Sequence, residues 1–261
     1  MDITEYNRNA WNLQSLEGCR WSTPYGDEVF AQARKGKWSV LLTPNRPVPS
    51  SWFPAHPDLS GVSLLALASG GGQQVPVFAS AGALVTSFDN SDVQLRKDHE
   101  TCSRNGLEVE IVQGEMADLS PLRDGQFDVI FNPVSNVFAP DLAPIWRECS
   151  RVLKPGGRLL CGFMNPAFYL FDHQRAEETG EIVVKYPLPY SDLESIDETL
   201  LSEQLEAQLA LEYSHSWETQ IGGQCHAGLA VTGFYEDDWD DKSTALNRWM
   251  PTYAATCAVR L

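Results

Sequence analysis

Apolar residues in this chain come in short solid runs, each closed by glycine or by polar turn residues. Ser63-Leu64-Leu65-Ala66-Leu67, Ala83 to Phe88, Leu107 to Val112 and Phe127 to Phe131 are four of them, and Gly157 to Phe163 is a fifth. Runs of this length bounded by turn signals predict buried strands. Between them the pattern turns helical, over Gln74 to Ala81, over Ser91 to Asn105 with Ser91 as N-cap and Leu95 facing inward, and over Pro140 to Val152. Strand and helix in alternation predict an α/β fold whose parallel strands are joined by right-handed crossovers. Ala230 to Tyr235 and Ala254 to Val259 also have strand character.

The flanks read differently. A helix is predicted over Tyr6 to Leu16, and a second one opens at Thr23 as N-cap with Pro24 at the first helical position. Pro44 to Pro57 holds Pro44-Asn45-Arg46-Pro47-Val48-Pro49, an extended linker that cannot be a central strand, and His56 within it is read as structural or solvated. Met164 to Ser214 is the least regular part, with a short strand predicted at Ile182 to Tyr186 and an acidic helix over Ser191 to Leu209. Asp192, Glu194, Asp197 and Glu198 read as its solvated face. Ser216 reads as the N-cap of a helix running to Ala227, with Gly228 ending it.

Length and charge narrow the function classes. A chain of 261 residues, 43% hydrophobic, can bury one sizeable core, and we expect a single α/β domain with a cap. A formal charge of -16 and a pI near 4.6 argue against nucleic acid or an anionic membrane as general partners. The densest cations, Arg34, Lys35 and Lys37, fit a solvated helix end. Met1 to Glu5 has neither the charged nor the apolar region of a signal peptide, and no stretch is long enough to span a bilayer, so a soluble, cytoplasmic protein is expected. Six scattered cysteines without a CxxC pair fit reduced core thiols. Cys225-His226 are adjacent rather than at ligand spacing, and no metal site is expected.

The chemistry gathers at one edge of the predicted sheet. The first apolar run feeds Ala68-Ser69-Gly70-Gly71-Gly72, where three glycines permit backbone angles and close approaches that side chains forbid. About twenty residues after that turn begins, the second run ends in Asp89-Asn90, an acid one strand over that can face the turn and accept from both hydroxyls of a ribose. The third run stops at Gly114-Glu115-Met116, and the fourth, Phe127-Asp128-Val129-Ile130-Phe131, at Asn132-Pro133. Together with Arg151-Val152-Leu153-Lys154-Pro155-Gly156-Gly157, this ordered set resembles the class I S-adenosylmethionine-dependent methyltransferases, specifically the small-molecule type with a methyltransferase-11-like domain, over roughly residues 61–163. Two positions depart from the family pattern. Ala66 stands where the first strand commonly ends in an acid, and Ala68 where the first loop glycine is common, so a carbonyl or another side chain has to receive the cofactor's ammonium.

The resemblance implies a Rossmann-like, doubly wound, seven-stranded sheet, closed by the two late strands as an antiparallel pair. It also implies an N-terminal helical extension with linker over residues 1–57, a methyltransferase domain over 58–261, and a substrate lid after the fifth strand at about 165–215. Implied contacts with S-adenosylmethionine are Ala68, Ser69, Gly70 and Gly72 through backbone, Asp89 on the ribose, Asn90 at the adenine edge, and Glu115 and the Met116 amide reading adenine. Asn132 and Pro133 border the methyl channel. Of the N-terminal aromatics Tyr6, Trp11, Trp21 and Tyr25, Trp21 is the preferred wall of the pocket.

Methyl transfer from a sulfonium is an in-line displacement that asks mainly for positioning and exclusion of water, and S-adenosylhomocysteine is the product. If the small-molecule acceptor needs a base, the candidates are His215, His173 and Tyr169. Two other readings remain open. One is a non-catalytic S-adenosylmethionine-binding regulator or pseudo-enzyme, and the other is a nicotinamide oxidoreductase, whose GxGxxG spacing Gly70 to Val75 does not provide. A monomer or homodimer is expected.

Overall fold

A computed structural model describes residues 1–239 and 242–261. The apolar runs form β1 (Ser63–Leu67), β2 (Leu84–Asp89), β3 (Glu110–Gln113), β4 (Phe127–Asn132) and β5 (Leu153–Met164), followed by β6 (Leu229–Asp237) and β7 (Tyr253–Arg260). Their order across the sheet is β3-β2-β1-β4-β5-β7-β6, parallel from β3 to β5, with β7 antiparallel to both neighbours. This is the doubly wound sheet with an antiparallel closing pair that the strand pattern and the resemblance imply.

Alternation along β1 decides what each face buries. Leu64 and Ala66 enter one core with Phe78 and Phe131, while Leu65 and Leu67 enter the other with Trp146 and Phe163. All three leucines are fully buried, and burial of each contributes about 2 kcal/mol. At the opening of β4, the Asp128 carboxylate accepts from the Ser63 N–H at 2.9 Å and from Lys154 Nζ at 2.7 Å, tying β1, β4 and β5 at their starts. β5 begins at Leu153 rather than at Gly157, so the Lys-Pro-Gly-Gly segment belongs to the strand.

The helices are α1 (Ile3–Leu16), α2 (Asp27–Ala33), α3 (Gln74–Ser80), α4 (Asp92–Arg104), α5 (Ala143–Val152), α6 (His173–Thr179), α7 (Asp192–Ser195), α8 (Glu198–Glu206) and α9 (Gly223–His226). Ser91 caps α4 as expected, its hydroxyl accepting from the Gln94 N–H at 3.1 Å, and Leu95 is buried. Among the described residues no helix is long and apolar enough to cross a membrane.

Several local expectations are corrected. The helix expected at Thr23 starts at Asp27, because Thr23 is extended and its hydroxyl donates back to the Cys19 carbonyl at 3.0 Å. Ile182 to Tyr186 makes only an isolated bridge between Val184 and Phe171. The acidic stretch is not one helix but two, α7 and α8, separated where Asp197 accepts from the Thr199 and Leu200 N–H groups and starts α8 afresh. Asp192 is buried rather than solvated. The helix expected from Ser216 to Ala227 does form, with the Ser216 hydroxyl accepting from the Thr219 N–H at 3.1 Å and Gly228 following at φ 82°, but its first part is a π-turn over Glu218–Gly222 running into α9. Gly223 there lies so close to the Trp146 indole that a Cβ would stand 2.6 Å from the ring.

Candidate active site

The turn after β1 is made almost wholly of left-handed backbone. Gly70, Gly71 and Gly72 have φ of 52, 63 and 89°, and Ala68, which is not glycine, has φ of 47°. An alanine in that region costs about 1 kcal/mol, offset here because its N–H donates to the Phe88 carbonyl at 2.8 Å and locks the turn to β2. The glycines do different jobs. Gly70 lies on the wall of a cavity of about 750 Å³. Gly71 and Gly72 are pressed under the N-terminal segment, where a Cβ would meet Ser22 at 3.0 Å and Pro24 at 2.8 Å respectively. Gly72 therefore does not reach the cavity wall. Its carbonyl accepts from the Tyr25 N–H at 3.1 Å, and its own N–H donates to Asp98.

Asp98, on α4, escaped the sequence reading. Its carboxylate accepts from the Gly72 N–H and, at 2.7 Å, from the Ser87 hydroxyl, and it is 1% exposed. Burial pushes it up to about 7, opposed by those two bonds and assisted by the charge of Asp89. The side chain of Ala66, where an acid is common in the family, points into the core, so the carboxylate under the glycine turn comes from a helix instead. A signal was present in the sequence. Asp98 shares the inward stripe of α4 with Leu95, Thr101 and Cys102, and an acid on an apolar stripe needs a partner.

Asp89 ends β2 on the cavity wall, with one carboxylate oxygen accepting from the Ser91 N–H at 2.9 Å. Burial pushes it up to about 6, the Ser91, Gly70 and Asn90 amides pull it back, and Glu115 adds repulsion. Glu115, raised mainly by burial, and Met116 stand beside it. Asn90 also lines the cavity, with its side-chain amide donating to the Thr4 carbonyl of α1 at 2.9 Å. Ala68, Ser69, Trp21 and Pro133 complete the group of expected residues found there, and the Ser69 hydroxyl is buried without a partner.

Besides Gly72, two expected residues stand elsewhere. Asn132 has no exposed surface and braces the strands, its amide donating to the Leu67 carbonyl at 3.0 Å and to the Ser135 hydroxyl at 2.8 Å. His215 is buried off the cavity wall, Nε2 lying 2.9 Å from the Ala139 carbonyl and 3.2 Å from the Asn136 carbonyl. Burial lowers its pKa, and Nε2 is turned to those two backbone carbonyls rather than to the cavity. His173 does line the cavity, stacked on Phe168 at 4.0 Å with Nε2 donating to the Phe168 carbonyl, and burial lowers its pKa as well.

The N-terminal segment closes one side. Asn7 of α1 donates to the Phe138 and Leu211 carbonyls and accepts from the Leu211 N–H, fastening α1 across chain that is 131 and 204 residues distant. Lys97 Nζ binds the Ser15 and Ser22 carbonyls at 2.5 and 2.8 Å, and the Gln73 amide donates to the Arg20 and Thr23 carbonyls at 2.8 and 2.9 Å. The far end is aromatic and acidic, built from Tyr169, Tyr190, Asp192, Glu212, Trp239 and Tyr253, of which only Tyr169 was singled out in the sequence for chemistry. No group of three or more His, Cys, Asp or Glu among the described residues is placed to hold a metal ion.

Residues 65–161 match the methyltransferase domain family. The chain is 43% identical over 259 residues to an uncharacterized methyltransferase of Bacillus subtilis, YbaJ, with 99% of each chain covered. A ubiquinone biosynthesis O-methyltransferase of Pseudomonas paraeruginosa is 30% identical over 127 residues, which are 48% of this chain and 55% of that one. Among solved structures, an S-adenosylmethionine-dependent methyltransferase of Mesorhizobium loti shares the fold with a TM-score of 0.59 at 16% identity, covering 80% of this chain and 94% of that one. A relative matched at the level of YbaJ from end to end carries its family with it, and the chain belongs to the class I S-adenosylmethionine-dependent methyltransferases.

Proposed function

We propose that the cavity holds S-adenosylmethionine along the β1–β2 edge and passes its methyl group to a small molecule seated beneath residues 165–215. The observation that carries this reading is the placement of Gly70 and the Asp89 carboxylate on one cavity wall, on neighbouring strands. The residues fit the cofactor. Asp89 would accept from the ribose hydroxyls, and Glu115 with the Met116 amide would read the adenine. The buried Ser69 hydroxyl, which costs about 1–3 kcal/mol while unpartnered, would donate to the methionine carboxylate. With no acid at Ala66, the Trp21 carbonyl, 3.6 Å from where a Gly70 Cβ would stand, is the acceptor that fits the ammonium.

Bound S-adenosylmethionine supplies an electrophilic methyl group on a sulfonium. The protein's own part is to hold donor and acceptor in line and to keep water out, which α1, the Lys97 clasp and the residues after β5 would do by covering the cavity. Calorimetry tests the reading. S-adenosylmethionine and S-adenosylhomocysteine should bind while NADH does not, and equal affinity for NADH overturns it.

A further inference from the structure

Past Met164 the cavity wall is made of rings and carboxylates. Tyr169 donates its hydroxyl to Glu212 at 2.6 Å, Tyr190 donates to Asp192 at 2.6 Å, and the other Asp192 oxygen accepts from the Glu212 N–H at 2.7 Å. The Tyr169 and Tyr190 rings stack at 5.1 Å, Phe168 and Tyr186 meet them edge-on, and Tyr253 lines the same end. Resting on the function proposed above, we infer that this end seats the methyl acceptor as an amine, its ammonium form drawn between Asp192 and Glu212 with tyrosine faces around it.

Charge and polarity both point this way. The two carboxylates share one desolvated corner, where the donors to them are hydroxyls and a backbone N–H and the charge of Asp192 repels that of Glu212. Burial pushes Glu212 up to about 7 and Asp192's charge adds to it, while Tyr169 opposes by donating. Tyr169, Tyr190 and Tyr253 are all pushed up by burial, so each remains a neutral phenol. An anionic acceptor would add repulsion and a neutral one would leave it in place, whereas a cation relieves it and also gains from the aromatic faces. Lys185 Nζ already lies 5.1 Å over the Tyr186 ring. Of the cations on the cavity wall, both carried by the N-terminal segment, Arg8 meets Glu5, and Arg20 lies 4.3 Å over Trp21 and reaches the acceptor end only as a charge acting on Tyr253.

Glu212 then has a task in the reaction. The ammonium gives one proton to the Glu212 carboxylate, and the freed nitrogen lone pair forms the N–CH3 bond as the S–CH3 bond breaks. The bonding pair leaves with sulfur as a neutral thioether. The groups facing Glu212 are Tyr169, Tyr190, Asp192 from α7 and Tyr253 from β7, with Arg20 acting on Tyr253.

The test uses the protein saturated with S-adenosylhomocysteine, titrated by calorimetry with primary and secondary amines and with the alcohol and carboxylate of each skeleton. The tightest amines should bind at least about tenfold tighter than their alcohols. Glu212→Gln and Asp192→Asn should each weaken them about tenfold without changing S-adenosylhomocysteine affinity, and Glu212→Asp should recover part of the loss. Amine binding near pH 7 should release up to about half a proton, read from two buffers of different ionisation enthalpy, and Glu212→Gln should abolish that release. Should Glu212→Gln not fold, Tyr169→Phe should raise the pH at which half a proton is released. Alcohols binding as well as amines, or amine binding and proton release unchanged in the variants, overturns the inference. Absence of S-adenosylhomocysteine binding sinks the proposed function itself, whereas its binding without any amine binding sinks this inference alone.

Discussion

The two ends of the cavity are built on opposite principles. At the β1–β2 edge the working groups are backbone, a turn of left-handed residues, and one aspartate whose place is set by strand register, Leu67 beside Phe88 and Asp89 one step on. At the far end the working groups are side chains from β5 onward, Tyr169, Tyr190, Asp192, Glu212 and Tyr253, which meet only because the chain folds back on itself. The first design rests on backbone geometry and one carboxylate. The second depends on individual residues, which suits it to choosing an acceptor.

Breaking the first end should have the largest effect. Asp89→Ala should raise the Kd for S-adenosylmethionine by about 100-fold, the worth of two charge-assisted hydrogen bonds, and leave amine binding at the far end within about threefold. Calorimetry reads both. A loss shared equally by the two ligands would show that the ends are not separate.

Gly72→Ala should separate scaffold from contact within the turn. With φ of 89° and Pro24 2.8 Å from the added Cβ, it should cost about 2–3 kcal/mol of stability, measured by denaturant unfolding, while the folded protein keeps its cofactor affinity.

A smaller effect is expected from Asp98→Asn, and its sign follows from the raised pKa. Between about 4 and 7 the native protein keeps a proton on Asp98 that the unfolded chain, at an ordinary 3.8, has lost, so this group makes stability fall as pH rises through that window. Asparagine cannot titrate. The melting temperature of the variant relative to the parent should therefore climb by on the order of 5 °C between pH 4.5 and 8, read by calorimetric melting without cofactor.

The least should come from His215→Gln, which retains a donor for the carbonyls of Ala139 and Asn136. Melting should drop by a few degrees at most, and methyl transfer at saturating substrates should be within about twofold of the parent. A large fall in turnover would return His215 to the reaction.

What the sequence determined by itself was whatever local pattern encodes: the apolar runs that became β1 to β5, the glycine turn, Asp89 about twenty residues further on, and Ser91 as a cap. Each depends on neighbours in the chain, on strand register, or on backbone angles that only a few residue types adopt at low cost. Only the tertiary structure could decide that Gly72 lies under Pro24, brought over by a segment that Lys97 clasps, while Gly70 stays on the cavity wall with Gln94 against it. It likewise decided that Asn132 braces β1 and that His215 turns to backbone carbonyls. Asp192 looks like an ordinary member of an acidic, solvated stretch, and Glu212 carries no signal in the sequence, until Tyr190 and Tyr169 are laid against them. A carboxylate's chemistry is set by who desolvates it and who donates to it, and for Glu212 that donor lies 43 residues away along the chain, a separation no local pattern marks.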